Sequence, residues 1–384
     1  MKNLKETKKM RENGITLVAL VITIIILLIL AGISISALTN TGIFQKAKEA
    51  KEKTQNAEKE QSQTLSEYEK ELNKYTSEEL TTANANIVLS ETENVELHDK
   101  NGNKIVVLAG FKIVVNEDTN NTLTVDKGIV IEDATTGATS GSQFVWIPIE
   151  NIKKDDGSIV EINLNRYTFD ENGNATIQGE NVIKNHFQEL ESSEKGNVVA
   201  KDIYSFRNSV IANKGYYVGR YEARKNKDEI VTEIGNDEVW NNITQSVAAE
   251  KTKAMYNKSE FTSDLMNSYA WDTATLFLQN CGEDKYSRKS SVNIGSLAIK
   301  GTNAPDYSGK KDLVCNVYDM ASNVVEWTTE TSSYMFDNFF YPCVLRGSNY
   351  DLSNYYTGIR DSNKTDSNWK TIGFRPILYL NSQK

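Results

Sequence analysis

The chain has 384 residues, of which 25% are charged and 39% hydrophobic, proportions that suit one or two folded domains and exclude a disordered polypeptide. A formal net charge of −9 argues against nucleic acid as a partner, because binding phosphates requires a basic surface. Three cysteines, Cys281, Cys315 and Cys343, allow at most one internal bridge and lack the spacing of a zinc site or redox motif, so disulfides, if any, are expected to be incidental.

Residues 1–14 form a short leader with Lys2, Lys5, Lys8, Lys9 and Arg11 against Glu6 and Glu12, ending in Asn13-Gly14. Residues 15–38, ITLVALVITIIILLILAGISISAL, follow at once, and no charge occurs over 15–45. As a helix this stretch would measure about 36 Å, enough to cross a hydrocarbon core of about 30 Å. The basic flank predicts a cytoplasmic leader and an exported C-terminal part. A basic leader closed by glycine directly before an apolar run resembles the start of a type IV prepilin. The resemblance implies cleavage after Gly14, an N-methylated Ile15 as the new terminus, and other pilins as partners of the helix. Ala19 stands where that family carries the glutamate thought to neutralise a neighbour's terminal amine. An uncut signal anchor is the alternative.

Residues 39–76 read as a charged helical stalk: 43–75 holds no proline, and KAKEAKEKTQNAEKEQ is built of good helix formers. Leu65, Tyr68, Leu72 and Tyr75 make an apolar stripe at 3-4-3 spacing, expected to dock on folded protein or pair with another helix. Over 77–140 the pattern changes to β-branched runs split by turn dipeptides, a β-rich lead-in to a head at 141–384. Exposed loops are predicted at Asp155-Asp156-Gly157, Glu171-Asn172-Gly173 and Glu194-Lys195-Gly196. Helices are predicted over 201–213, 244–254 and 262–280, the last capped by Ser263 or Asp264. The fold class is α+β.

Four segments carry a second resemblance: FVWIPIE at 144–150 with YYVGRYEAR at 216–224, LMNSYAWDTATLFL at 265–278, NVYDMASNVVEWTTE at 316–330, and VLRGSNY at 344–350 with GFRPILYL at 373–380. In this order they resemble the formylglycine-generating-enzyme (sulfatase-modifying factor) family, which implies a C-type-lectin-like head. Ser322 replaces a family glycine, and Ser348-Asn349-Tyr350 replaces Gly-Ser-Trp. The resemblance also implies a calcium ion held by Asp319 and Glu326 with the carbonyls of Ser322 and Val324, a set that suits a hard cation. Read from the residues alone, Asp319 and Glu326 serve equally well in a fold-stabilising salt bridge. Arg346 and Arg375, flanked by apolar residues, should each bond a buried carboxylate or carbonyls.

The family's copper chemistry needs two thiols at positions matched here by Leu352 and Thr357, so neither copper nor this reaction is expected. Cys343 precedes the motif and reads as a buried small hydrophobe. Iron chemistry in the family needs several histidines, and the chain has only His98 and His186. No catalytic residues are assigned. The residues left for recognition are Asn349, Tyr350, Asn354, Tyr355, Tyr356, Asp361, Asn363, Asp366, Asn368 and Trp369, a mix of rigid aromatics and adaptable amides; an ordinary polar loop is the bland alternative. The same composition would follow from adenine-directed diversification of the gene, which only the codons could reveal. The expectation is a protein of the bacterial cell surface, membrane-tethered or pilus-associated, whose inactive head faces outward and binds an extracellular ligand. A structural minor pilin with an inert head and a modifying enzyme using other residues are the alternatives.

Overall fold

The computed structural model describes residues 22–23, 53–54, 78–227, 229–233, 239–294, 312–351 and 354–381. Residues 22–23 and 53–54 are helical. The leader, the rest of the apolar segment and stalk, the Leu65 to Tyr75 stripe and the processing pair Gly14 and Ile15 lie outside the described residues. Among the described residues no helix is long and apolar enough to cross a membrane.

From residue 78 the chain is mostly strands with few helices, a mixed α and β architecture. A six-stranded sheet runs in the spatial order Phe261–Leu265, Pro376–Leu380, Gly215–Gly219, Gln143–Pro148, Val130–Asp133, Phe111–Ile113. The C-terminal strand therefore lies inside the sheet; of the strands over 77–140, Phe111–Ile113 and Val130–Asp133 extend it, while Glu78–Glu79, Val95–His98 and Lys104–Val107 form a separate three-stranded sheet. Burial explains the near-continuous apolar runs: every residue of Gly215–Gly219 and of Pro376–Leu380 is buried. Gly215 is required by its neighbour, since a Cβ there would sit 2.2 Å from the Trp146 ring. The phenols brought inside find acceptors, Tyr216 Oη donating to the Ala270 carbonyl at 2.6 Å and Tyr217 Oη to Val106 at 2.7 Å.

Three helices pack around this frame. Helix α1 (Ile203–Asn213) is capped by Asp202 and α2 (Gln245–Met255) by Thr244, close to the expected ranges. The third expectation needs correcting. Phe261–Leu265 is a fully buried strand paired with Pro376–Leu380, and α3 (Ser268–Phe277) begins only after Asn267, whose side chain accepts from Ala270 N at 2.9 Å. Ser263 and Asp264 spend their oxygens elsewhere: Ser263 Oγ donates to the Thr252 carbonyl, and Asp264 accepts from the amides of Lys201 and Leu265. A local cap signal lost to a sheet position that buries all five side chains.

A second sheet has the order Phe187–Glu189, Val325–Ser332, Cys343–Arg346, Arg360–Asn363, with Ile372–Phe374 pairing parallel to Val325–Ser332. One hydrophobic core spans both sheets, from Leu80 to Leu380. The Asp155-Asp156-Gly157 and Glu194-Lys195-Gly196 turns are exposed as expected; Gly173 is instead buried against Lys285 and Gln279.

Candidate ligand-binding face

The second sheet is held from within by ion pairs. Arg375 sets its fork on both oxygens of Glu326, at 2.8 to 3.2 Å, and donates to the carbonyls of Gly219 and Tyr318 at 2.8 Å each. Arg346 donates to Ile359 O at 2.6 Å and pairs with Asp272 and Glu330. Both arginines therefore have the buried partners their apolar flanks demand. Arg166 and Arg360 complete a cluster around Glu330. Burial alone would raise the Glu330 carboxyl, but the Arg360, Arg166 and Arg346 guanidinium groups hold it down at about 2.

The four positions proposed for calcium belong to this interior. Asp319 is buried with φ of +60° and accepts from Ser322 Oγ at 2.8 Å. Val324 N donates to Glu222 Oε1 at 3.2 Å, and Asn323 Nδ2 donates to the other oxygen of the same carboxylate. Glu326 has both oxygens engaged by Arg375, so the guanidinium stands where a cation would need that carboxylate. Among the described residues no group of three or more His, Cys, Asp or Glu is placed to hold a metal ion. Of the four, Glu326 is thus committed to the Arg375 ion pair. Glu222, unremarked in YYVGRYEAR, is the residue sequence reading missed: burial pushes its carboxyl well up, and the neighbouring Asp319 and Glu326 add to the effect.

The ten residues proposed for recognition divide by exposure. Asn354, Asp366, Asn368 and Trp369 are exposed, with Trp369 at 58%. Tyr355, Tyr356 and Asp361 are half-buried: Tyr355 Oη donates to Asp361, and the Arg288 guanidinium lies 3.8 Å from the Tyr356 ring centroid. Asn349, Tyr350 and Asn363 are buried. Tyr350 clusters with Val239 and Val324, Asn349 Oδ1 accepts from Asp351 N at 2.9 Å, and Asn363 Oδ1 accepts from Ser367 Oγ at 2.6 Å. Of these three, Asn363 is bonded within the 354–369 segment, through Ser367. Thr357, at a family thiol position, is buried with its amide donating to Lys289 O, and burial pushes the Cys343 thiol up to about 12.

Beside this segment stands a feature that was not anticipated. Met335–Phe336 and Phe339–Phe340 form a tight hairpin whose turn residues Asp337 and Asn338 have φ of +48° and +63°. Tyr334, Met335, Phe336 and Phe339 are 42%, 60%, 63% and 54% exposed. Met335 pairs with Phe340 and Phe336 with Phe339, so both faces of the hairpin are apolar. Lys364, from the loop that carries Asp366 to Trp369, places its ammonium 4.0 Å from the Phe339 ring centroid, and Lys195 lies 4.7 Å from Phe340. The signal was present in SYMFDNFFY, where a turn-forming Asp-Asn splits two aromatic runs.

No protein-family model and no curated protein matches the chain. Several solved structures are similar to parts of it. CarF is 14% identical, with 44% of this chain and 87% of that one covered at a TM-score of 0.30. Variable protein 1 of Treponema denticola is 15% identical, with 63% and 98% covered at 0.26. The P3c variant of the major tropism determinant is 11% identical, with 79% and 99% covered at 0.30.

Proposed function

We propose that the protein is a recognition protein tethered to the bacterial cell surface: a pilin-like N-terminal helix over 15–38, a charged stalk, and a C-type-lectin-like head that binds an extracellular macromolecule. The observation that carries the reading is the exposed aromatic surface of the Tyr334 to Phe340 hairpin, joined through Lys364 to the loop bearing Trp369. Large apolar side chains exposed together mark interaction sites, and aromatic residues dominate the energetics of such sites. Asn354, Asp366 and Asn368 supply the polar rim that a recognition surface needs. In this reading the head is not an enzyme and needs neither copper, iron nor calcium; its membrane partner is the lipid around 15–38.

Adhesion of cells displaying the full chain tests the proposal. Trp369→Ala and Phe336→Ser should each reduce adhesion at least tenfold while surface display stays unchanged. Adhesion indifferent to both substitutions would remove the aromatic face from the function. Turnover of a peptide cysteine to an aldehyde by the detergent-solubilised chain, supplied with copper, would favour the enzyme reading instead.

A further inference from the structure

Three segments remote in sequence meet at one point of the core: the short turn Val125–Lys127, the helical turn Leu278–Gly282, and a hairpin in which Leu313–Val314 pairs with Val317–Tyr318. The turn of that hairpin is Cys315-Asn316, with φ of +44° and +62°, and Cys315 Sγ donates to the Asp126 carbonyl at 3.5 Å. Gly282 is what lets the hairpin in. A Cβ there would lie 2.2 Å from Val314 Cγ1 and 3.0 Å from Cys315 Sγ.

Cys281 is the residue before that glycine, so the approach that Gly282 permits also brings the two thiols to one place. Their surroundings are shared: Asp126, Lys127 and Lys154 bear on both sulfurs, and a charge on Cys281 is felt at Cys315. Cys343 stands apart on its own strand, where burial is the whole cause of its shift. All three are thiols in the structure. Burial pushes Cys281 up to about 12 and Cys315 higher still, which leaves neither much thiolate with which to act as a nucleophile in the folded head. Outside the cell membrane, what neighbouring thiols of this kind do is bond to each other.

We propose that in the exported protein Cys281 and Cys315 are joined as a disulfide that pins the 313–318 hairpin to the 278–282 turn, with Cys343 left as the one thiol. The inference rests on the export proposed above. The oxidant is an exchangeable disulfide, small or protein-borne. One thiolate of the pair attacks it and releases a first thiol; the second thiolate attacks the resulting mixed disulfide and releases another. Two S–H bonds are lost and one S–S bond forms, while two electrons and two protons leave in the thiols of the spent oxidant. Because burial suppresses the thiolate, the exchange belongs to the folding chain, before the core closes over Cys281.

The test takes the full chain from cells that display it, blocks free thiols with N-ethylmaleimide and digests it without reduction for mass spectrometry. A linked pair of peptides carrying Cys281 and Cys315, with Cys343 alkylated, is expected. Three alkylated cysteines in surface-exposed protein, or a bridge that includes Cys343, would overturn the proposal. Dithiothreitol should lower the unfolding temperature of the unsubstituted chain by at least about 5 °C and leave Cys281→Ser unmoved; equal shifts in both would also overturn it. Surface labelling of intact cells keeps the two readings apart. A head found inside the cell counts against the tether, and the bridge is then judged by refolding the full chain in detergent micelles with glutathione disulfide: a linked pair upholds it, and three free thiols overturn it.

Discussion

Among the described residues Glu189 forms no ion pair with an arginine; its oxygens accept from Ser268 N, Ser268 Oγ and Thr329 Oγ1, and burial pushes its carboxyl up to about 7. Asp264 and Asp312 are likewise raised by burial, each to about 6. A carboxyl whose folded value is raised holds its proton in the fold and loses it in the unfolded chain, so stability falls as pH rises between the two values. Glu330 acts oppositely: held at about 2, it contributes above the ordinary glutamate value and the contribution is lost as pH falls towards 2. The two trends cross, and thermal unfolding of the head should be highest near about pH 4 to 5 and lower at pH 7.5. Glu189→Gln should flatten the slope above pH 4.5; a profile that climbs steadily to pH 7.5 would contradict the assignment. At the same scale, Arg375→Ala strands Glu326 in the interior and should cost about 3 to 5 kcal/mol in chemical denaturation. Because that guanidinium engages both Glu326 oxygens, adding a calcium chelator should leave the unfolding temperature unchanged.

At the scale of elements, positions set by contact are stricter than positions set by propensity. Gly128 has φ of +82°, and a Cβ there would lie 1.8 Å from the Cys315 carbonyl oxygen. Gly128→Ala should therefore lower stability by more than about 2 kcal/mol in urea unfolding, whereas Phe336→Ser on the exposed hairpin should stay within about 0.5 kcal/mol. How far such elements could be read from the residues varies with what specifies them. Helices α1 and α2 were legible in outline, their caps Asp202 and Thr244 falling at the expected starts. Phe261–Leu265 was not: Ser263 and Asp264 look like caps, and only the pairing with a strand over a hundred residues away makes them strand interior. Asn349, Tyr350 and Asn363 were not legible as buried, since alternation along a loop carries no period. The hairpin was overlooked although its turn chemistry is plain, because nothing local distinguishes an exposed aromatic run from a core strand.

For the molecule as a whole, the question is how a head with this surface is carried, and the answer lies in the residues ahead of 78. In the proposed reading, the leader's five basic residues, the glycine at 14 and the uncharged run that follows would direct export and a cut before Ile15. They do not specify polymerisation. A terminal amine freed at Ile15 and packed among apolar neighbours would be an uncompensated buried charge, and Ala19 offers no carboxylate to answer it. The mature chain should therefore begin with methylated Ile15 by mass spectrometry yet remain in the membrane fraction when filaments are sheared from cells. Ala19→Glu supplies the missing countercharge and should shift the protein into the sheared fraction without altering cleavage. An intact Met1 would make the segment a plain anchor. Wild-type protein abundant in filaments would show that the amine is neutralised by another route, and would turn the head from a tethered recogniser into a repeating one.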